Sequence, residues 1–326
     1  MRQPYSFIII SQFMFFVLKY PVVRIMDDKH YNTLNNYYRS RFGSKVFKVS
    51  LNAGFTCPNK DGKKGVGGCI FCSDTPYIGN KDKDLITQFN EVKTMLHEKW
   101  PNAKYIVYLE ANSNTYASID KLKSIYEPLI KLENVVGLNI GTRCDCLNEE
   151  ILDYLSDLNK RTFLTVELGL QTSHDKTLKL INRHHTKDEF TEAVKKLKKR
   201  DINVVVHIIN GLPYETKEDM IETSEYVNSL GIDGIKIHML YIEKDTEIAR
   251  MYESTPFHIL TKDEYIEIVG AQLKVLNKNI VIHRITGDPD KSKLITPLWL
   301  TKKFVVLNDI DKYLKRNEIY QGTEKE

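Results

Sequence analysis

The sequence of 326 residues has no uninterrupted apolar run long enough to cross a bilayer. Its most apolar stretch, residues 7–18, contains Ser11 and Gln12 and is shorter than the about 20 apolar residues that a membrane-spanning helix needs. One sign of charge does not dominate either, because 47 Lys and Arg residues face 43 Asp and Glu residues. The net charge of +4 permits a polyanionic partner without requiring one. With 42% hydrophobic and 28% charged residues, the composition is typical of a globular protein and excludes a disordered chain.

The N-terminal stretch allows three interpretations. Arg2 precedes the apolar residues as in a secretory signal, but no small-residue cleavage pattern follows Leu18. An interfacial anchor is a second interpretation, and an upstream extension that is not native is a third, with Met26 as the natural start. We favour the extension, and we expect no stable membrane insertion.

Cysteine is scarce, and its distribution argues against a disulfide framework. The chain has five cysteines, an odd number, and four of them form two tight groups, Cys69 with Cys72 and Cys144 with Cys146. Disulfide-rich domains instead use even numbers of dispersed cysteines. The pattern therefore favours thiols kept for metal or redox chemistry in a reducing compartment, which predicts a cytoplasmic location.

After Met26, short β-branched or aromatic runs alternate with amphipathic stretches, which is typical of an α/β protein with a parallel sheet. Six strands with intervening helices predict an incomplete β/α barrel. The predicted strands are Val46–Leu51, Tyr105–Leu109, Val135–Ile140, Thr162–Leu168, Asn203–Ile209 and Gly234–His238. The predicted helices are Leu85–Trp100, Ile119–Leu132, Asn148–Leu158, Thr186–Arg200 and Lys217–Leu230.

The C-terminal part is predicted to pack on the barrel. Two further helical patterns, Lys262–Leu276 and Leu300–Leu314, flank a short strand candidate, Ile280–His283, and we expect them to close the open side. The chain thus divides into an apolar N-terminal extension (1–25), an N-terminal segment (26–45), a barrel core (46–245) and a C-terminal extension (246–326).

The strongest motif is a C-x11-C-x2-C spacing formed by Cys57, Cys69 and Cys72, directly after the first predicted strand. Three thiolates can hold three irons of a cubane cluster and leave the fourth iron open for an exogenous ligand. A structural zinc site is the main alternative, but it normally needs four ligands, and His97 and Cys144 lie far along the chain. Free thiols are the remaining alternative. Active-site groups cluster at the carboxyl ends of barrel strands, so this loop stands where chemistry is expected.

These residues and several flanking motifs resemble the YhcC/YtqA-type radical SAM proteins, which are relatives of the Elongator catalytic subunit. The resemblance covers the chain from about Asp28 to Gly322, in the stretches KVFKVSLNAGFTCPN, GGCIFCS, NSNTYA, IGTRCDCL, VELGLQT, HIINGLPYET, GIKIH and IHRITGD. It implies a partial (β/α)6 radical SAM barrel, a [4Fe-4S] cluster and S-adenosyl-L-methionine (SAM), which is cleaved reductively to a 5′-deoxyadenosyl radical. It also implies an electron donor such as flavodoxin or ferredoxin.

The same resemblance suggests which residues contact the cofactor. The segment after the second strand is expected to receive the methionine group of SAM, the end of the fourth strand to contact ribose or methionine, and the end of the fifth to hold adenine. The residues concerned are Asn112, Ser113, Asn114, Thr115, Glu167, Gln171, His207 and Ile209. For Asn112–Thr115 a simple turn is the alternative, and for His207 it is a core histidine with internal partners. An unpaired buried carboxylate is costly, so Glu167 needs a partner in any case.

Two positions depart from the family pattern. Cys144 replaces a proline and forms a pair with Cys146, which allows a second metal or redox role, although ordinary buried thiols are the simpler interpretation. Tyr214 replaces a glycine, and because bulky residues disfavour positive φ, we expect a differently shaped loop there.

The substrate is less well specified than the chemistry. The resemblance favours modification of a tRNA wobble uridine side chain, with weak support from Lys60, Lys63, Lys64 and the basic run 195–200. The alternative for that run is a solvated helix face. A radical SAM enzyme acting on a small metabolite or peptide is a second hypothesis, and a non-catalytic iron-sulfur binding module is a third. Arg284 and Asp288 are candidate substrate contacts, or they pair with each other across a turn.

Overall fold

The computed structural model describes residues 29–73 and 79–325, and the predicted extension over residues 1–25 lies outside the described part. Its elements alternate along the chain as the sequence pattern predicts. In chain order they are α1 (Leu34–Phe42), β1 (Val46–Leu51), α2 (Leu85–His97), β2 (Lys104–Leu109), α3 (Ile119–Leu129), β3 (Val135–Thr142), α4 (Glu149–Asn159), β4 (Phe163–Gln171), α5 (Asp175–Leu180), α6 (Lys187–Lys198), β5 (Asn203–Asn210), α7 (Lys217–Ser229), β6 (Gly234–Met239), β7 (Ile242–Glu243), α8 (Glu247–Ser254), α9 (Lys262–Val275), β8 (Val281–Arg284), β9 (Leu294–Thr296) and α10 (Lys303–Arg316).

Seven parallel strands form one curled sheet, an open half-barrel, in the order β1-β2-β3-β4-β5-β6-β8. The α/β class and the partial barrel are therefore confirmed. The short strand candidate near residue 280 does more than predicted, because β8 pairs in parallel with β6 and extends the sheet by one strand. A separate antiparallel pair, β7 with β9, holds the loop that follows β8.

The two faces of the sheet differ in polarity because successive side chains in a strand point to opposite faces. One face is apolar and packs under the helices, through residues such as Val107, Leu138, Val166 and Ile235, none of which is exposed. The other face lines the interior of the half-barrel and carries polar side chains, including Lys48, Asn139, Glu167 and Lys236. The inside of the barrel is thus set apart as a polar compartment.

Local sequence fixes where several helices begin. The side chains of three residues, Thr186, Thr216 and Thr261, each accept a hydrogen bond from the backbone amide three residues later. The acidic side chain at that later position accepts a hydrogen bond from the backbone amide of the threonine. These capping boxes satisfy amides that the first helical turn leaves unpaired. None of the helices in the described part of the chain combines the length and the apolar character that crossing a bilayer requires.

Candidate active site

The loop after β1 carries the three motif cysteines and is fixed to the rest of the half-barrel by backbone hydrogen bonds. The Ile70 amide donates to the Ile181 carbonyl, and the Ile248 amide donates to the Ile70 carbonyl. Gly67 and Gly68 have φ values of 80° and 86°, in the left-handed region that favours glycine. The loop can therefore wrap tightly enough to bring Cys69 and Cys72 back toward Cys57.

Polar groups already point at two of the three cysteine sulfurs. Cys69 Sγ lies 3.5 Å from both Asn59 Nδ2 and Arg183 Nη1, and Cys57 Sγ lies 3.6 Å from Ser113 Oγ. Such donors stabilise the thiolate form of a cysteine that ligates a metal. The surroundings of these sulfurs fit a cluster held by three thiolates.

The spacing of the sulfurs separates the cluster from a single metal ion. Ligands of one zinc ion lie about 3.8 Å apart, since each Zn–S bond is about 2.3 Å in a tetrahedral site. Among the described residues, the three cysteines do not bring their ligand atoms within 4.8 Å of one another, and the group that does is His174, Asp219 and Glu222. Thiolates that each bind a different iron of a cubane lie farther apart, so the spacing of the three cysteines is compatible with a cluster.

A buried guanidinium beside the loop was not predicted from the sequence. Arg183 is 7% exposed and donates to His185 Nε2 at 2.9 Å and to the Gly169 carbonyl at 2.5 Å, as well as to Cys69 Sγ. Within the described part of the chain, no carboxylate forms an ion pair with it. Its positive charge therefore faces the cysteine loop without a local counter-charge.

The neighbouring arginine is neutralised. Arg143 forms a two-point ion pair with Asp145, at 2.8 and 2.9 Å, and its Nη2 also donates to the Arg183 carbonyl. Burial raises the pKa of Asp145, but the hydrogen bonds and charges of Arg143 and Lys64 prevail and lower it to about 2. Arg143 and Asp145 thus brace the loop, whereas Arg183 has no carboxylate partner among the described residues.

The segment Asn112–Thr115 joins the end of β2 to the cysteine loop and to β3. Asn114 and Thr115 are fully buried, and their side chains bond to Gly141, Thr142 and Cys146. These two side chains are therefore engaged inside the protein and brace the strand ends. Asn112, with a φ of 64°, is exposed and donates to the Phe55 carbonyl, whereas the Ser113 and Asn114 amides donate to the Thr56 and Gly141 carbonyls, so of this segment Asn112 is the residue open to a ligand.

Glu167 lies at the centre of a buried network inside the barrel. Its carboxylate, 1% exposed, accepts from Lys48 Nζ at 2.5 Å, Asn139 Nδ2 at 2.7 Å, Lys236 Nζ at 2.7 Å and His207 Nε2 at 2.9 Å. Four donors thus share its acceptor positions, and its predicted contact with SAM stays a prediction. Burial raises its pKa, yet the charges of Lys236 and Lys48 hold that pKa well below the usual range.

His207 belongs to the same buried network, in which its Nε2 atom lies 2.9 Å from Glu167 Oε2, and its predicted contact with adenine stays a prediction. Burial and the nearby Lys236 lower the pKa of His207 to about 4, so it is neutral near pH 7. Ile209 lies two residues further along β5 and packs with Phe71 of the cysteine loop in one apolar cluster. Of the two residues predicted on this strand, Ile209 is the one beside the cysteine loop.

Gln171 ends β4 beside Arg183. It has a φ of 82°, which is strained for a residue with a side chain, and its amide nitrogen crowds the same space above Gly169 as the Arg183 guanidinium. Its side chain forms no hydrogen bond with the described residues. An uncommitted amide in a strained position next to a free cation is typical of a binding site.

Several polar residues inside the barrel were not predicted from the sequence. Lys236 Nζ lies 2.9 Å from the Tyr108 hydroxyl, and Ser50 Oγ lies 3.3 Å from Glu110. Burial, opposed by the charge of Glu167, lowers the pKa of Lys48 to about 8. A signal was present, because Lys48 and Lys236 are lone cations within otherwise apolar strands, a position that requires a buried partner.

The two departures from the family pattern turn out differently. Cys144 and Cys146 are buried, and burial raises the pKa of each thiol to about 12, as for ordinary buried thiols. The prediction for Tyr214 is wrong, because it adopts a positive φ of 67° after all. Its ring is 64% exposed and packs edge-on against Phe257 at 6.3 Å, so solvent-side space accommodates the bulk that the left-handed backbone disfavours.

Arg284 and Asp288 are not a close pair. Their charged groups are 4.0 Å apart, whereas Lys303 Nζ lies 2.8 Å from the same Asp288 oxygen. Arg284 stands opposite Lys236 in the β6–β8 register, and its side chain is 31% exposed. It therefore sits at the edge of the polar barrel interior with most of its hydrogen-bonding capacity unused.

Comparison with known proteins identifies the class. The Radical SAM superfamily model matches residues 59–227, and the Radical_SAM C-terminal domain model matches residues 232–316. The chain belongs to the radical SAM superfamily, so it is an enzyme of this class, with a [4Fe-4S] cluster and SAM as its cofactors.

Individual relatives show which part of the superfamily the chain resembles. The chain is 46% identical to YtqA of Bacillus subtilis (strain 168) over 90% of this chain and 92% of that protein, and the YhcC/YtqA resemblance is confirmed. The archaeal Elp3 of Methanocaldococcus infernus has a similar fold, with a TM-score of 0.64 at 18% identity, covering 85% of this chain and 64% of that one. A tRNA-2-methylthio-N(6)-dimethylallyladenosine synthase of Endomicrobium trichonymphae is 25% identical over 58% of this chain and 46% of that protein.

Serine substitution distinguishes the two sets of cysteines. We expect Cys57→Ser, Cys69→Ser and Cys72→Ser each to lose most of the iron bound after anaerobic reconstitution, because a hydroxyl is a poor ligand for iron at neutral pH. Cys144→Ser and Cys146→Ser are the matched controls and should keep their iron. Iron and sulfide per chain measure the effect, and equal iron loss in both sets would contradict the assignment.

Removing the Glu167 charge should destabilise the apoprotein strongly. Glu167→Gln leaves Lys48 and Lys236 buried without their carboxylate, which costs about 3–5 kcal/mol of unfolding free energy. Because the folded pKa of Glu167 is depressed, its contribution is present above its unfolded pKa of about 4.5 and is lost as the pH falls through the folded value. Urea unfolding at several pH values should show the difference between wild type and variant shrinking in acid.

The exposed pair Lys83–Glu91 provides a control for that measurement. Glu91→Gln should change the free energy of unfolding by less than about 1 kcal/mol. Equal unfolding midpoints for Glu167→Gln and Glu91→Gln at neutral pH would show that the network inside the barrel does not stabilise the fold.

Proposed function

We propose that this radical SAM enzyme modifies the side chain of a wobble uridine in tRNA. The observation that carries the proposal is the combination of an Elongator-type barrel with a radical SAM core that is also similar to a tRNA-modifying synthase. A cytoplasmic location and reduction by flavodoxin or ferredoxin are part of the same proposal.

The cofactors can be assigned to specific residues within this proposal. Cys57, Cys69 and Cys72 hold the cluster, which with SAM supplies the radical chemistry of the class when both are bound. Arg183, the buried cation without an ion-pair partner among the described residues, lies beside Cys69 and matches the carboxylate of a SAM molecule bound at the open iron. Gln171 stands next to it with a free amide.

The remaining cofactor contacts follow from position. The segment from Asn112 to Thr115 adjoins the cysteine loop, and the exposed side chain of Asn112 suits the methionine amino group. Ile209, packed beside Phe71, offers an apolar surface for adenine. Glu167 and His207 are not assigned a cofactor contact in this proposal, because both belong to the hydrogen-bonded network inside the barrel.

The basic residues named from the sequence support the RNA proposal only weakly. Lys64 pairs with Asp145, Lys195 with Glu192, Lys196 with Glu149, and Arg200 with both Glu149 and Asp153. Paired cations on a helix face are typical of a solvated surface. These paired cations therefore give little support for phosphate contacts.

A small metabolite remains the second candidate substrate. The observation that favours it is Arg284, which is partly exposed at the edge of the polar barrel interior, opposite Lys236 in the β6–β8 register, and could orient a small anionic molecule. Activity on such a molecule would be nearly insensitive to salt, whereas RNA binding weakens steeply as salt rises.

One experiment tests cofactor and substrate together. The anaerobically reconstituted enzyme, a reductant and SAM are incubated with total tRNA from a strain that lacks the gene, and 5′-deoxyadenosine and the tRNA nucleosides are measured by mass spectrometry. We expect 5′-deoxyadenosine formation to rise with tRNA and one wobble nucleoside to change. The Cys57→Ser variant is the control, and an unchanged nucleoside profile with continued SAM cleavage would overturn the tRNA proposal.

The assignment of Arg183 has its own test. Arg183→Gln should weaken SAM binding to the reconstituted protein about tenfold or more, because a charge-assisted hydrogen bond contributes about 1.5–3 kcal/mol. Arg183→Lys keeps the charge without the fork and should recover part of the affinity. Equilibrium binding at matched iron content is the measurement, with Arg161→Gln on the surface as control. Unchanged affinity in Arg183→Gln would rule the contact out.

A further inference from the structure

A groove of about 450 Å³ lies beside the carboxyl end of β8, between the loop that follows this strand and the start of α10. Asp288, Lys291, Leu300, Lys302 and Phe304 contribute to its lining. Phe304 is 80% exposed, which is unusual for a phenylalanine on a globular protein. The groove therefore combines an exposed ring with basic side chains.

The charges in the groove are not neutralised as they are on α6. Lys291 and Lys302 are exposed, and no carboxylate of the described residues forms an ion pair with either of them. The single carboxylate in the lining, Asp288, is already paired with Lys303 at 2.8 Å. The groove thus carries a net positive charge.

The start of α10 adds to this field. The helix begins at Lys303 with Lys302 at the N-cap, it has no acidic residue in its first turn, and no side chain caps its amides. Cations at the amino end of a helix are repelled by its partial positive charge, whereas an anion placed there is stabilised. The lysines and the helix end therefore favour the same kind of ligand.

The groove adjoins the mouth of the half-barrel. Arg284, at the end of β8, stands between Lys236 of the barrel interior and Asp288 of the groove. The loop between them is held in place by the β7–β9 pair and by a hydrogen bond from the Asp290 amide to Glu243 Oε1 at 2.8 Å. A chain bound in the groove would therefore continue to the barrel opening.

We propose that this groove binds a single-stranded segment of RNA, with phosphates at Lys291 and Lys302 and a base stacked on Phe304. The proposal rests on the proposed function and adds the surface that holds the substrate. Stacking of a base on an aromatic side chain contributes about 1–3 kcal/mol and tolerates any base. Lysine contacts with phosphates add a salt-dependent attraction.

The test compares RNA binding by full-length variants of the reconstituted protein. Fluorescence anisotropy is measured with a labelled tRNA anticodon stem-loop and with a duplex of the same length. We expect Lys291→Glu with Lys302→Glu to weaken stem-loop binding at least tenfold and to reduce the slope of log affinity against log salt by about two. Phe304→Ala should weaken stem-loop binding about tenfold and leave duplex binding nearly unchanged.

A matched double charge reversal serves as the control. Lys195→Glu with Lys196→Glu on α6 changes the same net charge at exposed but paired lysines and should bind RNA like the wild type within about twofold. All variants should keep wild-type iron content and wild-type SAM cleavage in the absence of RNA, which shows that they are folded and loaded.

The outcomes separate this inference from the proposed function. If the wild type modifies tRNA and the groove variants bind and modify it equally well, the groove proposal is overturned and the proposed function stands. If the wild type neither binds nor modifies tRNA, the tRNA proposal fails and the groove proposal fails with it. If the variants keep RNA binding but are reduced more slowly by flavodoxin, the groove docks an acidic protein instead and the RNA proposal is overturned.

Discussion

The structure depends on one buried carboxylate. Glu167 on β4 accepts hydrogen bonds from Lys48 on β1, Asn139 on β3, His207 on β5 and Lys236 on β6, and Lys236 in turn reaches Tyr108 on β2. Six adjacent strands are thereby tied together across the barrel interior. None of these charges is stable alone in a buried site, since desolvation would favour the neutral form of each. Together they stabilise one another and fix the curvature and register of the sheet.

This network divides the half-barrel into two levels. Inside the barrel, the buried cations and carboxylates form hydrogen bonds with one another, so few of their donors and acceptors are available to a cofactor. At the strand ends the situation is reversed, because Arg183 has no ion-pair partner in the described part of the chain and Gln171 is held in a strained backbone conformation. Groups left uncommitted beside the cysteine loop are those that a bound anion would complete. Glu167, which belongs to a family motif, is thus held within the interior network by four donors.

The same distinction between committed and uncommitted charges applies to the surface. The basic run on α6 is conspicuous in the sequence, yet its side chains pair with carboxylates of α4 and α6. Lys291 and Lys302 belong to no long basic run in the sequence but lie on one groove with Phe304, and among the described carboxylates none pairs with them. A run of basic residues in the sequence is therefore a weaker indicator of a polyanion-binding site than a group of cations that have no carboxylate partner in the folded protein.

The sequence by itself determined the alternation of strands and helices and the cysteine spacing, because these depend on local periodicity and on motif chemistry. Each of the six predicted barrel strands is within three residues of its observed bounds. Only the tertiary structure decided that β8 joins the sheet and that Glu167 accepts hydrogen bonds from four donors. It also decided that Tyr214 has a positive φ with its ring packed against Phe257, and that Arg183 faces Cys69. Those features arise between residues far apart in the chain, where burial and the presence or absence of a partner set the energy, and no local pattern encodes which partners meet.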